Sequence, residues 1–130
     1  MNEFSKIPVN KIVDNMRKWR PQMETALSSG GGIMSYDDVE SSVMEGRKIF
    51  FENDSAFAVV ELVDHPNYRV AHVFLSGGEF DGIAKLQNSF DGFFRMIGVK
   101  KMTILGRKGF KKRLPALGWT EPMVYFERSL

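Results

Sequence analysis

Residues 76–84, with the sequence SGGEFDGIA, constrain the fold most because they join two segments of different periodicity. The preceding segment, 69–75, is apolar and strand-like, whereas residues 81–97 have the spacing of an amphipathic helix. A strand that enters a helix through a glycine turn leaves free backbone N–H groups at the helix N-terminus, where a phosphate is favoured. A glycine turn without a ligand is the alternative. The apolar residues at helical spacing are Ile83, Leu86, Phe90, Phe93 and Ile97.

The chain has the length and composition of one globular domain, which we assign to residues 1–130. It has 43% hydrophobic and 26% charged residues, as in an ordinary soluble protein. No apolar run approaches the roughly 20 residues of a membrane span, and no signal-peptide pattern is present. We therefore expect a cytoplasmic protein that does not bind a membrane.

The residue types exclude several kinds of chemistry. The sequence contains no cysteine, which rules out disulfides, thiolate zinc sites and cysteine nucleophiles. It contains only two histidines, and no spacing of Asp and Glu suggests a carboxylate metal site. We therefore predict no metal.

Charge is distributed unevenly along the chain. Residues 1–91 hold 9 Lys and Arg against 14 Asp and Glu, whereas residues 92–120 hold 8 Lys and Arg and no acid. A basic block after the glycine turn indicates an anionic partner near this half of the molecule. A solvated basic face without a partner is the alternative.

The first third of the chain predicts three helices. Ile12, Val13, Met16 and Trp19 share one face of the first, and Pro21 opens a second at its first turn. Three glycines, residues 30–32, form a loop, after which Ser35 begins a short third helix that ends at Gly46.

Five strands and two helices are predicted for the rest. Strands 48–52, 56–63 and 69–75 form an antiparallel meander, and the connection through helix 81–97 makes strand 99–105 parallel to the third strand. A short helix over 107–114 and a strand over 122–128 follow. The predicted fold is α/β (α+β), with a mixed sheet in which the meander precedes a parallel strand pair, and with helices on both faces.

This order of elements resembles the GNAT family of acyl-CoA N-acyltransferases over about residues 9–130. The family's signature Arg/Gln-x-x-Gly-x-Gly/Ala aligns with residues 79–84, which keep Gly82 and Ala84, and the Leu-Gly-Trp of residues 117–119 resembles the family's Leu-Gly-Phe. The resemblance implies an acetyl-CoA or other acyl-CoA cofactor. Its pyrophosphate would lie on the amides of Gly82, Ile83 and Ala84, and its adenosine phosphate near Arg107, Lys108 or Lys111.

The sequence departs from the family pattern at the phosphate turn. Glu79 replaces the family's Arg or Gln, and Asp81 adds a second carboxylate that repels a diphosphate. Phe80 replaces a small residue, and the side chain of Asp81 is a candidate cap for the helix N-terminus. Leu114 stands where the family often has a tyrosine that acts as general acid.

Two residues are weak candidates for the general base. Glu61 and His72 both lie in the central strands. A solvent-facing Glu61 and a neutral core imidazole at His72 are the alternatives.

Three functions remain open at this stage. One is a degenerate GNAT-fold protein that acts by binding a protein partner. Small versions of the fold resemble bacteriophage proteins that are associated with virions. Such a protein would lie in the cytoplasm of the host or in the virus particle. The second is an acyl-CoA-dependent N-acyltransferase. The third, a nucleic-acid binder, is disfavoured because the cluster of basic residues from Lys100 to Arg113 contains only one aromatic, Phe110.

Overall fold

One four-stranded sheet organises the molecule, with helices on both of its faces. The strands lie in the order β1-β2-β3-β4; the first three are antiparallel, and β3 and β4 are parallel. The predicted fold class is therefore confirmed. The computed structural model describes residues 8–105 and 110–130. Its elements are α1 (Val9–Arg17), α2 (Arg20–Ser29), α3 (Tyr36–Met44), β1 (Ile49–Glu52), β2 (Ala56–Asp64), β3 (Arg69–Gly78), α4 (Phe80–Met96), β4 (Val99–Ile104) and α5 (Phe110–Arg113), followed by a 3-10 helix, Leu114–Leu117.

Helix α4 covers one face of the sheet through an aromatic cluster. Phe51 of β1 is fully buried, and its ring centroid lies 5.5–5.9 Å from those of Phe90, Phe93 and Phe94. Edge-on packing of this kind is the geometry that aromatic rings prefer. The helical spacing seen in the sequence therefore marks the core face of α4.

Helices α1, α2 and α3 cover the other face. Their buried side chains include Met16, Met23 and Val39, which pack with Phe57 and Val59 of β2. Pro21 lies in the first turn of α2, as predicted, because that position needs no backbone donor. Helix α3 begins with a reciprocal cap: Asp38 N donates to Ser35 Oγ at 3.2 Å, and Ser35 N donates to an Asp38 carboxylate oxygen at 3.0 Å.

The strand predicted near the end of the sequence is wrong. Residues 122–128 form no strand, and every residue from 120 to 130 is exposed. The start of the predicted helix 107–114 lies outside the described residues; α5 forms part of it, and the chain then tightens into a 3-10 turn that includes Pro115. Pro115 occupies an early position of that turn, where a missing N–H is tolerated.

Strand β3 is longer than predicted. It continues through Gly77 and Gly78, which pair with Phe57 and Ala56. Gly78 has φ +102°, a left-handed conformation that suits glycine, so the change of direction occurs there and not at Ser76.

Candidate functional site

A β-bulge interrupts the pairing of β2 with β3 at Phe74. Val59 pairs with Leu75, but the next residue of β2, Val60, pairs with Val73, so Phe74 has no partner on β2. An extra residue of this kind bends the strand and increases its twist. The bulge therefore redirects the second half of β3.

β3 separates from β4 at the same place. The last paired residues of the two parallel strands are Val73 and Ile104, whereas β3 continues to Gly78. Within residues 8–105 and 110–130, no residue pairs with the β4 side of residues 74–78. The sheet consequently opens between the carboxyl ends of two parallel strands, which is where open α/β sheets bind their ligands.

The turn between β1 and β2 fixes the start of α4 beside this opening. Glu79 N donates to Ser55 O at 2.8 Å, and Asn53 Nδ2 donates to Gly82 O at 2.8 Å. Gly82 is buried against the turn, and a Cβ atom there would lie 2.9 Å from Ala56 Cβ. Gly82 thus allows close contact between helix and hairpin.

The N-terminus of α4 has no side-chain cap. Glu79 and Asp81 are exposed and neither caps the helix, so the predicted cap by Asp81 is wrong. The Arg113 guanidinium lies 5.1 Å from the centroid of the Phe80 ring, which brings a cation from α5 to the first turn of α4.

Not all of the backbone N–H groups predicted to bind the pyrophosphate are free of hydrogen bonds within α4. Ile83 N donates to Glu79 O at 3.0 Å and so belongs to the first hydrogen bond of α4. The unbonded N–H groups of a helix are its first ones, here those of Phe80, Asp81 and Gly82. Of the residues predicted to bind the pyrophosphate, Gly82 is therefore the one whose N–H group lies in the first turn and has no partner within the helix.

A row of polar side chains crosses the sheet next to the bulge. Lys48 Nζ lies 3.0 Å from Glu61 Oε2 and 4.8 Å from the centroid of the Phe74 ring. Glu61 pairs across the strands with His72, and His72 Nδ1 lies 2.8 Å from Thr103 Oγ1 of β4. The structure thus places both candidate bases, Glu61 and His72, in one row.

Burial governs the protonation of His72. Desolvation lowers the pKa of the half-buried imidazole, and the ammonium of Lys48 lowers it further. The carboxylate of Glu61 acts in the opposite direction. The lowered pKa favours the neutral imidazole, which is the form that a general base needs.

The remaining predicted site residues are not brought together in one place. Lys111 is exposed, with its Nζ 3.9 Å from Glu121 Oε1, and Leu114 is half-buried. Arg107 and Lys108 lie outside the described residues, and Ala84 is half-buried in the second turn of α4. Sequence reasoning missed Lys48, Asn53 and Thr103, whose roles depend on strand register and on the turn geometry, and it did not place Arg113 at the N-terminus of α4.

Residues 8–105 and 110–130 hold neither a cluster of metal-ligating side chains nor a membrane-spanning helix. In that part of the chain, no group of three or more His, Asp or Glu is placed to hold a metal ion. No helix there is long and apolar enough to cross a membrane.

Solved structures with the same architecture include an aminoglycoside acetyltransferase and proteins described as probable or possible acetyltransferases. A probable acetyltransferase superposes with a TM-score of 0.69 at 11% identity, covering 91% of this chain and 92% of that one. An aminoglycoside acetyltransferase from an uncultured soil metagenomic sample, crystallised with sisomicin, gives a TM-score of 0.62 at 10% identity, with 91% of each chain covered. The fold is GNAT-like.

A third similar structure, that of a possible acetyltransferase from Clostridium difficile 630, gives a TM-score of 0.61 at 12% identity, with 95% of this chain and 93% of that one covered. Neither a protein-family model nor a curated protein sequence matches the chain. At these identities the likeness establishes the fold, and the activity has to be argued from the residues of the site.

Proposed function

We propose that this GNAT-fold protein binds an acyl-CoA in the opening between β3 and β4 and has at most weak N-acyltransferase activity. The observation that carries the proposal is the separation of the two parallel strands at Phe74, beside the N-terminus of α4. The opening suits the narrow pantetheine arm, and the free N–H groups of α4 suit the diphosphate.

The charges around α4 make the diphosphate site weak but usable. Glu79 and Asp81 are exposed, so their repulsion of a diphosphate is screened by solvent and salt. Neither side chain occupies the helix N-terminus, and Arg113 brings a positive charge to Phe80. A ligand therefore meets free N–H groups and one cation together with two screened carboxylates.

The polar row can supply half of the proton chemistry of acyl transfer. An amine attacks the thioester carbonyl, a C–N bond forms, the C–S bond breaks, and the amine loses a proton. His72, neutral and held by Thr103, is the group we propose to accept it. The departing thiolate needs a proton in turn, and Leu114, at the position of the family's tyrosine, has none to give. A base without a matching acid predicts slow turnover.

Calorimetry with acetyl-CoA and with CoA tests the binding claim, and release of free thiol over a panel of amines tests the chemistry. We expect heat of binding with both ligands and slow thiol release that His72→Gln lowers at least about a hundredfold. Absence of binding at millimolar ligand would refute the proposal. Rapid turnover would instead establish a full N-acyltransferase.

A matched pair of variants locates the ligand. Glu79→Gln removes a carboxylate beside the proposed diphosphate, so acyl-CoA binding should tighten by a few-fold at low salt. Glu45→Gln removes an exposed carboxylate after α3, on the opposite face of the sheet, and should leave binding unchanged. Equal effects of the two variants would contradict the assigned position.

The role in a bacteriophage particle and the binding of nucleic acid rest on sequence alone. A stoichiometric protein that co-purifies from the native source would support the first. Salt-dependent DNA binding would support the second, through exposed basic residues that include Lys100, Lys101, Lys111, Lys112 and Arg113.

A further inference from the structure

The imidazole of His72 is bonded through one of its two nitrogens. Nδ1 lies 2.8 Å from Oγ1 of Thr103, the residue of β4 that pairs with His72 in the parallel register. Within residues 8–105 and 110–130, Nε2 makes no hydrogen bond. No buried side-chain nitrogen or oxygen lacks a partner in that part of the chain, so Nε2 reaches solvent. The ring therefore has one held nitrogen and one that is open to a ligand.

The imidazole lies on the face of the sheet opposite α4. Ala71 and Val73 belong to the core cluster that α4 covers, and side chains alternate along a strand, so His72 points to the other face. The pair formed by His72 and Thr103 is the last but one before β3 and β4 separate. The imidazole therefore adjoins the opening in which we place the acyl-CoA.

Glu61 approaches the same imidazole from β2 but does not bond to it. Because β3 lies between β2 and β4, Glu61 and Thr103 flank His72 from opposite sides. Glu61 Oε2 accepts a hydrogen bond from Lys48 Nζ at 3.0 Å, and among the described residues no bond joins Glu61 to His72. The side chain of Lys48 is only 10% exposed, and its Nζ lies 4.8 Å from the centroid of the Phe74 ring. Lys48 thus holds the carboxylate nearest to the imidazole.

These contacts distinguish the two tautomers of a neutral imidazole, which carries its proton on one nitrogen and accepts at the other. A proton on Nε2 would make a free donor beside the carboxylate of Glu61, and the two groups would attract each other. A proton on Nδ1 is instead donated to Thr103 Oγ1, and the lone pair left on Nε2 repels the carboxylate. An unbonded Nε2 beside a carboxylate that is bonded to Lys48 is the arrangement expected of the second tautomer.

We propose that Thr103 and Lys48 are positioning residues for His72 in the acyl transfer of the proposed function, on which this inference rests. Thr103 accepts the Nδ1 proton, Lys48 keeps Glu61 away from Nε2, and Nε2 takes the proton that the attacking amine loses. The resulting imidazolium carries N–H on both nitrogens and then releases the added proton from Nε2 to water. Both residues act through the imidazole and not on the substrate.

Nitrogen-15 NMR of the resting protein, at a pH above the titration of His72, tests the role of Thr103. In wild type we expect a proton on Nδ1 and a bare Nε2, with His65→Gln used to assign the signals. Thr103→Val keeps the branched shape but removes the hydroxyl, so the population should shift toward Nε2–H. In thiol release, kcat should then fall about tenfold or more while KM changes less than about twofold.

Thr103→Ser is the matched variant, because it keeps the hydroxyl and should restore both the tautomer and kcat. A wild type protonated on Nε2 would overturn the proposal. So would a Thr103→Val variant whose tautomer is unchanged.

Lys48→Met tests the second contact. Without the ammonium, the carboxylate of Glu61 is free to accept from Nε2–H, so the tautomer should reverse and the pKa of His72 should rise. The double variant Lys48→Met with Glu61→Leu removes the carboxylate as well and should return His72 to the Nδ1–H form. Lys101→Met, at an exposed lysine of β4 that is not among the charges acting on His72, should change neither property. A Lys48→Met variant that behaves like this control would overturn the role of Lys48.

The spectra and the kinetics separate this inference from the proposed function. Thiol release by a wild type whose imidazole is protonated on Nε2 would leave the acyl transfer standing and refute the positioning roles. The predicted tautomer without thiol release over the panel of amines would refute the acyl transfer, and with it the role of Nε2 as the proton acceptor.

Discussion

Gly82 of α4 lies against Ser55 in the turn between β1 and β2, in a space that admits no side chain. A Cβ atom on Gly82 would contact Ser55 Oγ and lie 2.9 Å from Ala56 Cβ and 3.1 Å from the carbonyl carbon of Ser55. A Ser hydroxyl can rotate, but the backbone and Ala56 cannot move without shifting the hairpin. This contact fixes the N-terminus of α4 beside the opening in the sheet.

Gly82→Ala should therefore lower the free energy of unfolding by about 1–3 kcal/mol, despite the better helix propensity of alanine. Gly92→Ala, in the same helix with nothing within 4 Å of the added Cβ, should raise it by about 0.4–1 kcal/mol. Urea unfolding measures both values. Equal changes in the two variants would show that the contact with the turn does not limit Gly82.

Phe51→Ala should destabilise the protein strongly, because it removes a ring from the core. The ring is fully buried and contacts three phenylalanines of α4, so we expect a loss of about 3–5 kcal/mol in the free energy of unfolding. Ile33→Ala, at an exposed residue, should stay within about 0.5 kcal/mol of wild type. A small loss for Phe51→Ala would mean that β1 and α4 do not share one cooperative core.

The cap of α3 should make the free energy of unfolding depend on pH in the acid range. Hydrogen bonds from the Ser35 backbone and side chain lower the pKa of Asp38. A carboxylate with a lowered pKa in the folded state contributes stability above its ordinary pKa of about 3.9, and this is lost as pH falls through the lower folded value. Asp38→Asn should thus be less stable than wild type at pH 7, and the difference should shrink below pH 4.

Denaturation of both proteins between pH 2 and pH 7 measures this convergence. Ser35→Ala, which removes the side-chain cap, should lower the free energy of unfolding by about 1 kcal/mol at neutral pH. A pH-independent gap between wild type and Asp38→Asn would contradict the ionic origin of the cap.

His72 should titrate below the ordinary histidine value of about 6.5. Burial is the main cause of its lowered pKa, and Glu61 opposes the shift, so Glu61→Gln should lower the pKa further. The unfolded chain then binds a proton more readily than the folded one, so wild type should lose stability relative to His72→Gln as pH falls below about 6.5. NMR titration, with His65→Gln to assign the signals, measures the pKa; a midpoint above 6.5 would contradict the burial.

Local pattern was sufficient to predict most of the fold. The spacing of Leu86, Phe90 and Phe93 predicted the core face of α4, and Gly98, with φ +83°, follows that helix in the left-handed conformation. The predicted strand over 122–128 was wrong although its pattern is strand-like, because a strand also requires a neighbour. Pairing is a property of the whole molecule that a run of Val, Tyr and Phe cannot specify.

The site was harder to predict for the same reason. Glu61 and His72 were identified as candidates, but their relation to Lys48 and Thr103 depends on strand register, and register depends on the bulge at Phe74. No residue type marks a bulge of this kind in a single sequence. The capping of α3, in contrast, is encoded within four residues and was predictable from Ser35 and Asp38.

The opening between β3 and β4 depends on the extra residue that forms the bulge in β3. Strand β3 has 10 residues, whereas its partner β2 has 9. The separation of β3 from β4 is therefore encoded by the length of β3 and not by a particular side chain. Substitutions at Phe74 leave that count intact. Deletion of one residue between Val73 and Leu75 restores a regular ladder and removes the bend, so loss or gain of single codons is the genetic change to which this opening is most sensitive.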